Sequence, residues 1–258
     1  FGAKSLDVDP ATMRVISIMP CTAKKFEQTR PEMAHANEYW EDIQRQSVYD
    51  SFPDNDIVLT TREFARLLKM AGIDLAKLPD EEADPLLGNY TGAAPIFGRT
   101  GGVMEAALRT ALTLLTGQPP SPLEFTDLEN MEEIKCASLP LGNKTIKVAV
   151  AHGLNNVRKV CESVRSRGEF SQYHFIEFMA CPGGCIGGGG QPIPTNTVSR
   201  KARAQGLNID DRQICNIRMS HENPEIKDLY ANFLEKPLSS LAHHLLHTTY
   251  FDRTKDLQ

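Results

Sequence analysis

The sequence predicts an α/β fold of parallel sheets flanked by helices. Twice a β-rich run passes straight into a helical pattern: residues 56–60 before a periodicity over 61–71, and residues 144–151 before one over 152–168. Two further β-rich runs, 13–19 and 174–178, end on loops that carry cysteine. Strands alternating with helices favour parallel pairing. In such sheets functional groups gather beyond the carboxyl ends of strands, where Cys21, Cys181 and Cys185 all fall.

The first run, M-R-V-I-S-I-M, stops at Pro20-Cys21-Thr22, with Lys24 and Lys25 close behind. A thiol beside two cations has a lowered pKa and ligates metal more readily; a small core thiol next to surface lysines is the alternative. Residues 27–54 are polar and mixed and predict a loop with a short amphipathic helix. At Thr60 the pattern T-T-R-E matches a capping box with Glu63, and Phe64, Leu67, Leu68 and Ala71 follow at helical spacing. Gly72 supplies the stop. Residues 73–90, rich in Pro, Asp and Glu, read as a solvated loop.

Residues 91–102 form a glycine-rich segment that opens a helix reaching about Leu115, ended by Gly117 and a Pro pair. Neither G-x-G-x-x-G nor G-x-x-x-x-G-K-[ST] occurs, which argues against a nucleotide site. Phe97 in this segment suits an apolar lid over a site. Residues 121–143 read as a hairpin or an irregular stretch. Helices are expected over 197–208, 225–234 and 237–246. His243, His244 and His247 on the last of these lack the spacing of a metal site with an evident partner.

At 258 residues, 41% hydrophobic and 24% charged, the chain has the composition of a soluble globular protein. A net charge of −5, with no basic stripe, argues against nucleic acid as a partner. No apolar run is long enough for a membrane span. Six cysteines in so long a chain do not make the dense framework of a small secreted domain.

The most informative stretch is 177–190, E-F-M-A-C-P-G-G-C-I-G-G-G-G. Cys181 and Cys185 lie four apart in a loop holding six glycines. Glycine lets backbone turn sharply and approach closely, and unused N–H groups curled around two sulfurs suit an anionic inorganic cluster. A flexible linker carrying two thiols is the plainer alternative, but linkers rarely follow an apolar strand.

Together, M-P-C-T-A-K-K at 19–25 and F-M-A-C-P-G-G-C-I-G-G-G-G-Q-P at 178–192 resemble the second and third cysteine signatures of iron-only, or [FeFe], hydrogenases. The similarity extends through T-T-R-E at 60–63, G-R-T-G-G-V-M-E-A-A at 98–107 and S-H-E-N-P at 220–224, so it covers nearly the whole chain. The resemblance implies one catalytic domain over 1–258, with sub-lobes 1–143 and 144–258 and an iron–sulfur active site between two lobes. It implies an H-cluster: a 4Fe–4S cubane joined to a diiron subsite with CO, cyanide and azadithiolate ligands. Cys21, Cys181 and Cys185 would ligate the cubane, with Cys185 also bridging to the diiron unit. Lys24 would hydrogen-bond a cyanide. Met19, Pro20, Phe97, Met179, Ala180 and Gly184 would line the site. The implied activity is reversible H2 oxidation and proton reduction.

The family's earlier T-S-C-C-P-x-W signature, which supplies a fourth cubane ligand and a proton-donating cysteine, does not occur, and no cysteine precedes Cys21. A cubane takes four ligands. The expected partners are therefore an N-terminal segment or subunit supplying that cysteine, an iron–sulfur electron-transfer domain or a ferredoxin, and maturation proteins. The expected compartment is the cytoplasm, with the periplasm and organelles left open. The rival reading is a hydrogenase-like iron–sulfur protein acting in redox sensing or cluster assembly.

Overall fold

The structure, a computed structural model, describes residues 1–44, 51–118, 133–141 and 144–257. In chain order its elements begin with α1 (Gly2–Leu6), β1 (Ile16–Met19), α2 (Lys24–Glu27), α3 (His35–Gln44), β2 (Ile57–Thr60), α4 (Thr61–Met70) and α5 (Ala93–Ile96). They continue with α6 (Gly102–Thr116), β3 (Ile134–Leu141), β4 (Lys144–His152), α7 (Leu154–Arg165), β5 (Phe175–Met179), α8 (Thr197–Ile209), α9 (Pro224–Leu229) and α10 (Ser240–Leu246). Parallel pairings between strands that alternate with helices make this the expected α/β class. Contacts divide the chain into two units, Phe1–Leu78 with Lys227–Gln258, and Pro79–Ile226. The division does not follow the 143/144 boundary expected from sequence. Leu141 and Lys144, on either side of that boundary, pair antiparallel, and paired strands share one unit.

In the first unit β1 and β2 run parallel, from Ile16↔Ile57 to Met19↔Thr60. The capping box forms as the sequence predicts: the Thr60 hydroxyl accepts from Glu63 N, and the Glu63 carboxylate accepts from Thr60 N at 2.8 Å. The far end of α4 closes with Gly72 at φ 72°. There Gly72 N donates to Lys69 O and Ile73 N to Leu68 O, the paired bonds that satisfy a helix's last carbonyls. Residues 237–246 were expected as helix throughout, but α10 starts at Ser240 because the Ser239 side chain caps it, accepting from Ala242 N.

The second unit holds a three-stranded sheet ordered β3-β4-β5. β3 is antiparallel to β4, and β5 is parallel to β4. Met104, Leu108 and Leu112, spaced four apart on α6, pack against Ala137, Leu139, Val148 and Val150 of the sheet. Each large side chain so buried contributes about 1.5–3 kcal/mol. A second buried system is ionic. Arg109 donates to both Asp211 oxygens, at 2.8 and 2.7 Å, and to Glu105; Arg99 also pairs with Glu105. All four side chains are almost fully buried. Burial favours neutral Asp211, but hydrogen bonds from Arg109 and Arg218 outweigh it and lower its pKa. Among the described residues, no helix is long and apolar enough to cross a membrane.

Candidate functional site

The motif of the second unit begins where β5 stops. Residues 183 and 184 take φ values of 82° and 92°, a region that favours glycine. Gly184 N donates to Cys181 O at 3.0 Å, closing a turn, and Gly187 N donates to Gly184 O at 2.9 Å. A Cβ on Gly184 would lie 2.7 Å from Thr100 N, 2.8 Å from Met179 Sδ and 2.9 Å from Arg99 C. One on Gly187 would lie 2.0 Å from Pro182 O. Bare backbone at Gly184 lets the turn lie against the segment 98–102, and bare backbone at Gly187 lets the turn fold back onto Pro182.

That segment is stitched to the motif by backbone bonds: Thr100 N donates to Gly183 O and Ile186 N to Gly98 O, each at 2.9 Å. Arg203 of α8 reaches in from the other side, donating to Ile186 O and Pro192 O at 2.8 Å. The spacing of Cys181 and Cys185 is thus set by hydrogen bonds on several sides. Cys181 is half-buried and Cys185 exposed.

One expectation is corrected here. The amides of Gly183, Gly184, Ile186, Gly187 and Gly188 do not form an outward cradle of unused donors; every one is bonded within the unit. The glycines serve chain reversal and close approach instead.

The structure brings Met179 and Gly184 into contact range, and places Phe97 next to Gly98, whose carbonyl holds the residue after Cys185. Phe97 is 46% exposed, and Ala180 is also exposed. Met19, Pro20, Cys21 and Lys24 belong to the first unit. There Met19 closes β1 opposite Thr60, and Pro20 and half-buried Cys21 follow. Lys24 pairs with Glu27, one turn along α2, with its side chain 46% exposed. Lys25 donates to Val58 O at 2.8 Å and meets Glu63 at 2.9 Å. Bonds from Thr60, then Lys25, hold the Glu63 carboxyl at about 2. A separate cavity of about 690 Å³ in the first unit is lined by His35, Glu38, His243, His244 and His247 among others, and by none of the motif residues.

Three buried polar residues behind the second motif escaped the sequence reading. His152 Nδ1 accepts from Gly183 N at 3.0 Å. Glu177 accepts from Gly101 N and Met104 N, both at 2.7 Å, and Lys135 donates to Thr100 O at 3.0 Å. Burial raises the Glu177 pKa against the opposing pull of those amides, Lys135 and Arg99. The sequence signal was slight, a charged residue inside a short β-rich run, as Glu177 is in F-I-E-F-M.

Two sulfurs on a rigid, close-packed glycine turn fit an iron–sulfur group, whose iron takes cysteine thiolates. Gly184, where any side chain would strike backbone, is the shape-based part of that fit. Among the described residues no group of three or more His, Cys, Asp or Glu side chains is placed to hold a metal ion. The second unit's motif supplies two sulfurs.

Comparison with known proteins agrees in kind. Residues 2–189 match the model of the iron only hydrogenase large subunit, C-terminal domain, and residues 197–253 that of the iron hydrogenase small subunit. The chain is 47% identical over 256 residues to the NADP-reducing hydrogenase subunit HndD of Solidesulfovibrio fructosivorans, covering 99% of this chain and 41% of that protein. It is 31% identical over 248 residues to Protein NAR1 of Arabidopsis thaliana, covering 94% and 51%. A solved structure of [FeFe]-hydrogenase HydA1 from Chlamydomonas reinhardtii superposes with a TM-score of 0.74 at 36% identity, covering 97% of this chain and 66% of that one. The chain spans roughly half the length of the curated relatives it matches.

Proposed function

The chain belongs to the iron-only hydrogenase large-subunit family, and on that premise we propose that it takes part in reversible H2 oxidation and proton reduction at an H-cluster. The observation that carries this reading is the glycine turn between Cys181 and Cys185, which leaves no room for a Cβ at Gly184 and so fixes where two thiolates stand. In this proposal Cys21, Cys181 and Cys185 hold the cubane, and Cys185, the more exposed of the motif pair, is the bridging ligand. When bound, the cluster supplies the redox-active iron at which H2 is made or split.

The chain's own share is binding, orientation and exclusion of water. Met19, Met179 and Phe97 offer soft apolar cover. Lys24 offers an ammonium for a cyanide ligand, a charge-assisted bond, in exchange for Glu27. Pro20, Ala180 and Gly184 bring backbone close. A fourth cubane cysteine comes from an N-terminal segment or subunit, and electrons pass to an iron–sulfur domain or ferredoxin. The proposed compartment is the cytoplasm.

Infrared spectroscopy of the full protein, produced with its maturation proteins, tests this. Bands from iron-bound CO and cyanide, with H2 evolution from a reduced viologen, are expected, and Cys185→Ser should abolish turnover. Wild-type turnover by that variant removes the bridging role. A 28% identity over 253 residues to the cytosolic iron-sulfur assembly component 3 of Rattus norvegicus favours a second reading, iron–sulfur redox sensing or cluster assembly. It predicts iron–sulfur absorption and no CO or cyanide bands.

A further inference from the structure

Lys135, Val150 and Glu177 form one rung of the β3-β4-β5 sheet, since Lys135 pairs with Val150 and Val150 with Glu177. Side chains on one rung point to the same face, and His152, two residues beyond Val150, points there too. Lower on that face stand Ala137, Leu139 and Val148, all in the apolar core. The sheet face therefore changes character towards the cysteine motif, from aliphatic to ionisable. Lys135, His152 and Glu177 are only 2%, 6% and 6% exposed. Placing such groups inside is unfavourable unless they are well paired, so what they bond to is informative.

They bond to the backbone of two loops. Glu177 takes the amides of Gly101 and Met104, the N-cap and third residues of α6, a helix start with no side-chain cap of its own because Gly101 has none to offer. Lys135 takes the carbonyl of Thr100, whose amide holds Gly183 O. His152 takes the amide of the same Gly183; because Nδ1 accepts there, a neutral ring carries its proton on Nε2. Two loops that bond each other are thus each tied to the sheet beneath.

We propose that Lys135, His152 and Glu177 are positioning residues that form a buried polar platform, locking segment 99–104 and the Cys181/Cys185 turn into one register and thereby setting where the two sulfurs stand. Its purpose rests on the cluster reading above; its test does not. Glu177→Gln keeps the side chain's shape but turns one acceptor into a donor facing a backbone amide. His152→Ala removes the acceptor for Gly183 N. Amide hydrogen exchange, followed by mass spectrometry on the full protein without iron, reads the result. With Glu177→Gln, exchange in peptides covering 98–104 and 180–187 should rise at least tenfold, while the β3-β4 hairpin and β1 keep wild-type rates. With His152→Ala the rise should appear in 180–187 and be smaller in 98–104.

Unchanged exchange in both variants overturns the platform. So does an equal rise across every peptide of the second unit, which reports general destabilisation. A spectroscopic readout follows anaerobic reconstitution with iron and sulfide: the electron paramagnetic resonance signal of the reduced cluster should shift in Glu177→Gln and not in Thr116→Ala, a surface change on α6. A signal identical in Glu177→Gln and wild type counts against the platform as a setter of sulfur position. If the wild-type protein assembles no cluster at all, the cluster reading fails while the exchange result still decides the platform.

Discussion

β1 and β5 each deliver a cysteine motif, and the sheets behind them differ in how they are buried. β5 belongs to a three-stranded sheet in which Val148, Ala149, Val150 and Ala151 of the adjacent strand are 0% exposed. Among the described residues β1 pairs with β2 alone, and Ile16, Ile18 and Ile57, which share a face by register, are 55%, 45% and 44% exposed. Parallel strands are ordinarily covered on both faces. The motif of the second unit is held by its own neighbours, with backbone bonds, a buried platform and an arginine from α8. The motif of the first unit rests on the Thr60–Glu63 capping box and on Lys25, which meets Glu63 and donates to Val58 O. Similar cysteine motifs can therefore be specified to different degrees: one by a packed interior, the other by a helix cap beside it.

The contrast breaks most readily at Arg109. Arg109→Leu leaves Glu105 and Asp211 inside the second unit without their shared cation. Removing one partner of a buried pair typically costs about 3–5 kcal/mol. Denaturant unfolding should show that loss, with β1 and β2 retaining their amide protection at low denaturant. A loss below about 1 kcal/mol, the scale of an exposed pair, would mean the network is wetter than its burial indicates.

Gly184→Ala comes next. A positive φ held by a residue other than glycine costs about 1–3 kcal/mol, and here the Cβ would also strike Thr100 N and Arg99 C. Backbone cannot swing aside as the Met179 side chain can. Iron retained by the reconstituted protein should drop several-fold, more than the stability loss alone explains. Full iron content with unchanged spectra would show that the turn adapts and that its shape is not what places the sulfurs.

Much of this was legible in the chain. The T-T-R-E cap and Gly72 stop are local, decided by residues three or four apart, and both formed where the pattern put them. The strand leading to Cys181 was legible because its apolar run is short and soon gives way to Cys-Pro-Gly-Gly. β3 was not, since an antiparallel partner is fixed by pairing with β4 rather than by any periodicity of its own. The use of the loop amides was misjudged for a related reason. Glycine content shows that backbone can approach something closely, but not that the neighbour is Thr100 or that His152 claims the amide of Gly183. Lys135 and Glu177 were overlooked because a charged residue in a strand ordinarily marks the solvent face, and only the register shows that both point inward.

The smallest expected effect probes the weaker motif. Glu63 is held at about 2, against an ordinary value of 4.5, first by the Thr60 amide and then by Lys25. A carboxyl lowered on folding stabilises the native state fully above its ordinary pKa, and that contribution is lost as pH falls through the folded value. Glu63→Gln should therefore be less stable than wild type at pH 6, with the gap closing between about pH 4.5 and 2. Because the pair is exposed, the gap should be small and should shrink further in high salt. Acid titrations of helix content for the two proteins, run in parallel, measure it. The second unit's lowered carboxyl, Asp211, lies inside the protein, so salt should leave its share of the acid transition in place. A gap at Glu63 that ignores both pH and salt would show that the cap works through shape alone, and that charge plays no part in holding β2 and α4 beside Cys21.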